Sequence, residues 1–105
     1  MDKHIKRKYA PMTETSFYIL FALQNEMHGY NIMQYVKYIT DDEIFLGAGT
    51  LYTSLRKMES DGLIVFVKSE GARKIYKITE TGTELLKLEI KRIERVHCNI
   101  KKQDY

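Results

Sequence analysis

The 105-residue chain has one cysteine, Cys98, one proline, Pro11, and no tryptophan. A single cysteine excludes an intrachain disulfide and any zinc site built from several thiolates. It suits a reducing compartment. No internal repeat or low-complexity tract is present. The longest apolar stretch, Phe17 to Leu23, falls far short of the roughly 20 residues that span a bilayer. The basic start, Lys3 to Lys8, is followed by no long apolar run and so is no secretory signal. A cytoplasmic protein with no membrane partner is expected. Catalytic constellations are as scarce. His4, His28 and His97 are scattered, with no cysteine or paired carboxylate at ligand spacing. Asp41-Asp42-Glu43 lacks the spacing of a calcium loop and reads as a solvated turn. Gly47-Ala48-Gly49-Thr50 lacks the lysine of a phosphate-cradling loop. Neither an enzyme nor a cofactor or metal site is expected.

What is present indicates a folded domain. The chain is 44% hydrophobic and 30% charged, with a net charge of +3. A chain this short buries a modest fraction of its surface alone, so a partner subunit would help it. The charge is unevenly placed. Residues 1–12 carry Lys3, Lys6, Arg7 and Lys8 against Asp2. Residues 13–47 carry Glu14, Glu26, Asp41, Asp42 and Glu43 against Lys37. Residues 61–78 are basic again, with Lys68, Arg73, Lys74 and Lys77 against Asp61 and Glu70.

Apolar periodicity predicts four helices and a hairpin. Thr13 caps a first helix running to about Asn25, apolar nearly all round. Met27 to Tyr30 reads as a short break. A second helix fits Tyr30 to Ile39, with Ile32, Met33, Val36 and Ile39 on one face. A third fits Ala48 to Asp61, its Leu51, Leu55 and Met58 turned to the core and Gly62 closing it. Ile64–Lys68 and Arg73–Ile78 read as two strands joined through Ser69–Ala72. A fourth helix then runs to about Lys102, capped by Thr79 or by a Thr81–Glu84 capping box. The fold class expected is mostly α with a small β-hairpin, a winged helix-turn-helix plus a C-terminal dimerisation helix. Its divisions are a basic arm over 1–12, a DNA-binding domain over 13–78 and a dimerisation helix over 79–105.

The third helix presents Thr50, Thr53, Ser54 and Lys57 away from the core, with Arg56 on the flank. Short hydroxyls let a backbone approach DNA closely, and the two cations can neutralise phosphate or meet guanine in the major groove. A solvated helix face is the plain alternative. Its place after a second helix and before a basic hairpin favours DNA. Lys68, Arg73 and Lys74 flank the Gly71 tip of that hairpin, a ribbon suited to phosphates or the minor groove. The arm, Lys3 to Lys8, reads as a solvated tail. Leu86, Ile90, Ile93, His97 and Ile100 alternate by four and three along the last helix, a seam two heptads long that fits a twin helix. The first three helices can already close a core together, so the seam is assigned to a homodimer interface. His97 reads as a satisfied polar contact and Cys98 as an inert thiol. The reading from another functional class is a winged-helix adaptor that binds protein and no DNA.

Several stretches together resemble the PadR-type transcriptional regulators. They are Met12-Thr13-Glu14 into Phe17-Tyr18-Ile19-Leu20, Met27-His28-Gly29-Tyr30, Leu46-Gly47-Ala48-Gly49-Thr50-Leu51-Tyr52, Leu55 to Ile64, and Tyr76 to Gly82. The resemblance covers roughly residues 12–97, in the short form with one dimerisation helix. Ala48 departs from it, because many members carry proline there. The resemblance implies a dimeric repressor on an inverted-repeat operator in double-stranded DNA, released in some members by a small-molecule effector. Drug-sensing members stack flat ligands on a tryptophan between the last helices. This chain has Ile93 at that place.

Overall fold

Each predicted helix forms around its apolar periodicity, and two further elements appear that no periodicity announces. In the computed structural model the order is α1 (Lys3–Tyr9), α2 (Glu14–Ala22), β1 (Met27–His28), α3 (Gly29–Ile39), α4 (Ala48–Ser60), β2 (Ile64–Glu70), β3 (Arg73–Ile78) and α5 (Glu80–Lys102). The structure describes residues 1–103; Asp104 and Tyr105, the end of the predicted 79–105 segment, lie outside the described residues.

The caps expected for α2 and α5 and the closure expected for α4 all form. The Thr13 hydroxyl accepts from the Ser16 amide at 3.1 Å. Of the two candidate caps of the last helix, Thr79 does the work: its hydroxyl accepts from the Gly82 amide at 3.1 Å. Gly62, at φ 77°, ends α4 in a left-handed turn. The Leu63 amide returns to the Met58 carbonyl at 2.9 Å and the Gly62 amide to Glu59 at 3.0 Å, a Schellman closure.

β1 is the first unannounced element. The segment read as a break pairs antiparallel with β3, Met27 opposite Tyr76 and His28 opposite Ile75. The hairpin is thereby the larger part of a three-stranded sheet of order β1-β3-β2. Two residues are too few to show an alternation. β2 also runs to Glu70, longer than expected, leaving Gly71 and Ala72 as a two-residue turn with Gly71 at φ 61°.

α1 is the second, and it corrects the reading of residues 1–12 as a solvated tail. Asp2 caps it by accepting from the amides of His4 and Ile5. Ile5 and Met12 are buried in the common core. The Lys8 ammonium lies 2.8 Å from the Asp61 carboxylate, and the Tyr9 hydroxyl donates to the same carboxylate at 2.6 Å. The hydrogen bonds from Lys8 and Tyr9 hold the Asp61 carboxyl below its ordinary range against the opposing effect of burial. Burial and the Asp61 contact push the Tyr9 phenol upward. The arm is thus docked on the C-terminal end of α4.

The core joins Ile19, Leu20 and Leu23 from α2 and its end, Ile32 and Val36 from α3, and Leu51, Leu55 and Met58 from α4. It also contains Leu85 and Leu86 of α5, both buried. This corrects two expectations. Three helices do not close the core without α5, and Leu86 packs inside its own subunit rather than at a subunit boundary. Ile90 is half-buried against the same core. The expected division at residue 79 therefore cuts through packed side chains. The close approach depends on Gly82, where a Cβ would stand 2.1 Å from the Leu63 carbonyl oxygen. Nothing longer than glycine fits there without moving backbone.

Beyond Ile90 the helix changes character. From Ile93 onward its described residues are exposed, and Ile93, Val96 and Ile100 leave 40%, 40% and 46% of their surface open. His97 and Cys98 are exposed on this stretch. Glu89 lies at the junction and is fully buried. It accepts the Met12 amide and two hydrogen bonds from Arg92, at 3.0 and 3.2 Å. Burial alone would raise its carboxyl, but the Arg92 hydrogen bonds, the Met12 amide and the Arg92 charge outweigh it and leave the group below its ordinary range.

Candidate nucleic-acid interface

α4 sorts its residues by face. Leu51, Leu55 and Met58 point inward, while Thr50, Thr53, Arg56 and Lys57 are exposed and Ser54 is half-buried. Arg56 is steadied along its own helix, donating from Nη2 to the Thr53 hydroxyl at 3.3 Å. α3 approaches α4 at Gly29, where a Cβ would stand 2.7 Å from the Tyr52 hydroxyl. That contact seats the Tyr52 ring against the start of α3.

The sheet brings the wing to the same end of the molecule. Between α4, the start of α3 and the tip of β3 lies a cleft of about 360 Å³. Arg56, Arg73 and Lys74 line it together with His28, Tyr30, Tyr52 and Tyr76, and among the described residues no acidic side chain does. Three of the eight residues expected to meet DNA thus converge on one cleft. Thr50, Thr53, Ser54 and Lys57 lie on α4 outside it. Lys68 is also outside the cleft, 3.7 Å from the Glu70 carboxylate.

His28 and Tyr30 belong to this site and were not singled out by sequence. The Arg73 Nη1 lies 3.3 Å from the His28 Nε2. Its guanidinium sits over the Tyr30 ring, 5.4 Å from the centroid. The His28 and Tyr30 rings stack at 6.5 Å with 19° between their planes. Nothing in the string Met27-His28-Gly29-Tyr30 signals this. The pairing of β1 with β3 creates it. Burial pushes the Tyr76 phenol at the cleft upward, with Glu59 and Tyr52 adding to the effect.

At the other end, a second cavity of about 430 Å³ lies between α2 and α5. Met12, Phe17, Tyr18, Ile90 and Ile93 form its apolar wall, and Glu14, Arg92 and Glu94 its charged rim.

The sequence model of the PadR-like transcriptional regulator family matches residues 19–88, two thirds of the chain, from the end of α2 through the whole sheet, α3 and α4 into the first part of α5. The chain belongs to that family. The fold of this PadR-like protein is shared with a transcriptional regulator from Clostridium thermocellum, 24% identical, with a TM-score of 0.74 over 100% of this chain and 99% of that one. A PadR family regulator from Clostridium difficile is 25% identical, with a TM-score of 0.70 over 86% of this chain and 97% of its own. Bacillus subtilis PadR, crystallised with operator DNA, is 26% identical, with a TM-score of 0.62 over 70% of this chain and 45% of its own. No curated protein matches the sequence. Among the described residues no helix is long and apolar enough to cross a membrane.

Proposed function

We propose that this PadR-like protein is a repressor that binds an inverted-repeat operator as a homodimer and is released by a small-molecule effector. The observation that carries the DNA reading is the cleft where Arg56 of α4 and Arg73 and Lys74 of the wing converge. A groove helix flanked by a basic ribbon is the arrangement by which winged helices hold a duplex. In this reading Thr50, Thr53, Ser54 and Lys57 enter the major groove from the exposed face of α4, and Lys68 adds a phosphate contact beside the tip.

The outer half of α5 supports the dimer. Ile93, Val96 and Ile100 form an uncovered apolar stripe at heptad spacing, and a second copy of the same helix offers a matching one. His97 lies beside the stripe at the rim. The effector reading is supported by the cavity between α2 and α5, because Ile93 belongs both to its wall and to the stripe. A ligand filling that cavity would change how two copies of α5 meet, and with them the spacing of the two α4 helices.

Fluorescence anisotropy with duplexes from the gene's own upstream region tests the reading. Binding that prefers an inverted repeat over a mixed sequence is expected, with sedimentation giving two protomers per site. Failure to bind any duplex at low salt supports the adaptor reading instead.

A further inference from the structure

In the cleft between wing and groove helix, a histidine nitrogen and an arginine nitrogen face each other, and the histidine tautomer sets their roles. The His28 Nδ1 accepts from the Asn31 amide at 3.3 Å as the cap of α3. A neutral imidazole that accepts at Nδ1 carries its hydrogen on Nε2. That Nε2–H faces the Arg73 Nη1, itself a donor, at 3.3 Å. In the tautomer that caps α3, donor meets donor and the pair lacks an acceptor. An oxyanion placed against both would accept from both.

The neighbouring groups favour the same ligand. Tyr30 lies beneath the Arg73 guanidinium in cation–π reach. The Tyr30 oxygen accepts from the Gln34 side-chain amide at 2.9 Å, which leaves the phenolic hydrogen free to donate. Arg56 and Lys74 supply further positive charge on the cleft wall, and among the described residues no carboxylate lines it to compete.

We propose that His28, Tyr30 and Arg73 form a phosphate clamp that grips a DNA backbone phosphate between the recognition helix and the wing. The proposal rests on the DNA-binding reading above and adds two residues to it. His28 contributes a neutral donor and Arg73 a charged one, both on the same phosphate. Because His28 also caps α3 and sits in β1, the clamp joins the wing to the helix-turn-helix when DNA is present.

The test uses the full-length protein and a fluorescein-labelled mixed-sequence duplex of about 30 base pairs, since phosphate contacts are sequence-independent. His28→Asn keeps a capping acceptor, so its thermal midpoint should match the wild type. Its affinity should fall about tenfold, as for one hydrogen bond to a charged group. Its salt slope should not change, because a neutral imidazole displaces no counterion. Arg73→Ala should weaken binding similarly and lower the slope by about 1. The double variant should lose less than the product of the two, because both act on one phosphate.

Wild-type affinity in a folded His28→Asn, or losses that multiply, overturns the clamp while leaving DNA binding intact. Failure of the wild type to bind any duplex overturns both readings. Inorganic phosphate titrated alone, followed by the His28 ring resonances, should leave them unshifted. Saturation at submillimolar phosphate would assign the cleft to a free anion and overturn the backbone source.

Discussion

In the first half of α5, Leu85 and Leu86 are buried in the common core beside α2, whereas in the second half Ile93, Val96 and Ile100 stand uncovered. The two halves share one helix, one continuous heptad pattern and similar side chains. They differ in what lies opposite. Gly82 lets the inner half close on the Leu63 carbonyl, and Glu89 marks the boundary by tying Arg92 and the Met12 amide together. The comparison teaches that an apolar stripe records a demand for burial without naming the partner that meets it.

The inner half can be broken most severely. Leu86→Ala should cost about 2–5 kcal/mol in denaturant unfolding, because a filled core site becomes a cavity. A loss below about 0.5 kcal/mol would mean that Leu86 is not a core residue. The outer half should respond differently. Ile93 is 40% open, so Ile93→Asp removes roughly 0.6–1.2 kcal/mol of interface burial per copy and sets a carboxylate against its twin, and the dimer should weaken at least tenfold in sedimentation. A tight dimer in this variant would remove the outer stripe as the interface.

The junction should give an intermediate effect. Glu89→Gln keeps an acceptor for Met12 and loses the charge that faces Arg92, at about 1–3 kcal/mol. The Glu89 pKa is depressed in the folded state. Its contribution is therefore complete above the unfolded glutamate value and is lost as pH falls through the folded one. Thermal midpoints of the wild type should drop in acid more steeply than those of Glu89→Gln. Parallel acid limbs would show that the buried carboxylate is not held ionised. Lys57→Ala sharpens the comparison as a change remote from both halves. Midpoint and dimer constant should stay within about 0.5 kcal/mol of wild type, while the salt slope of duplex binding falls by about 1. An unchanged slope would take Lys57 off the phosphate backbone.

α4 was legible almost to the residue, because Leu51, Leu55 and Met58 repeat at helical spacing and Gly62 stops the helix. α1 was not, because only Ile5 and the contacts of Lys8 and Tyr9 with Asp61 distinguish it from a charged tail. Asp61, which anchors it, lies more than fifty positions away. β1 escaped notice because two residues form no pattern. With it went His28 and Tyr30, whose place in the cleft depends on pairing with β3. Leu86 and Ile93 were read alike because a core and a subunit interface select the same side chains at the same spacing.

By itself, then, the sequence determined the local structure from α2 onward: which segments are helical, where α2, α4 and α5 are capped or stopped, and which face of α3, α4 and α5 avoids water. Those properties depend on neighbours within a few positions. Only the tertiary structure decided which partner each apolar face meets, that a charged arm folds onto Asp61, and that a histidine and an arginine 45 positions apart face one cleft. Such contacts are set by the packing of whole elements, and no short-range spacing encodes them.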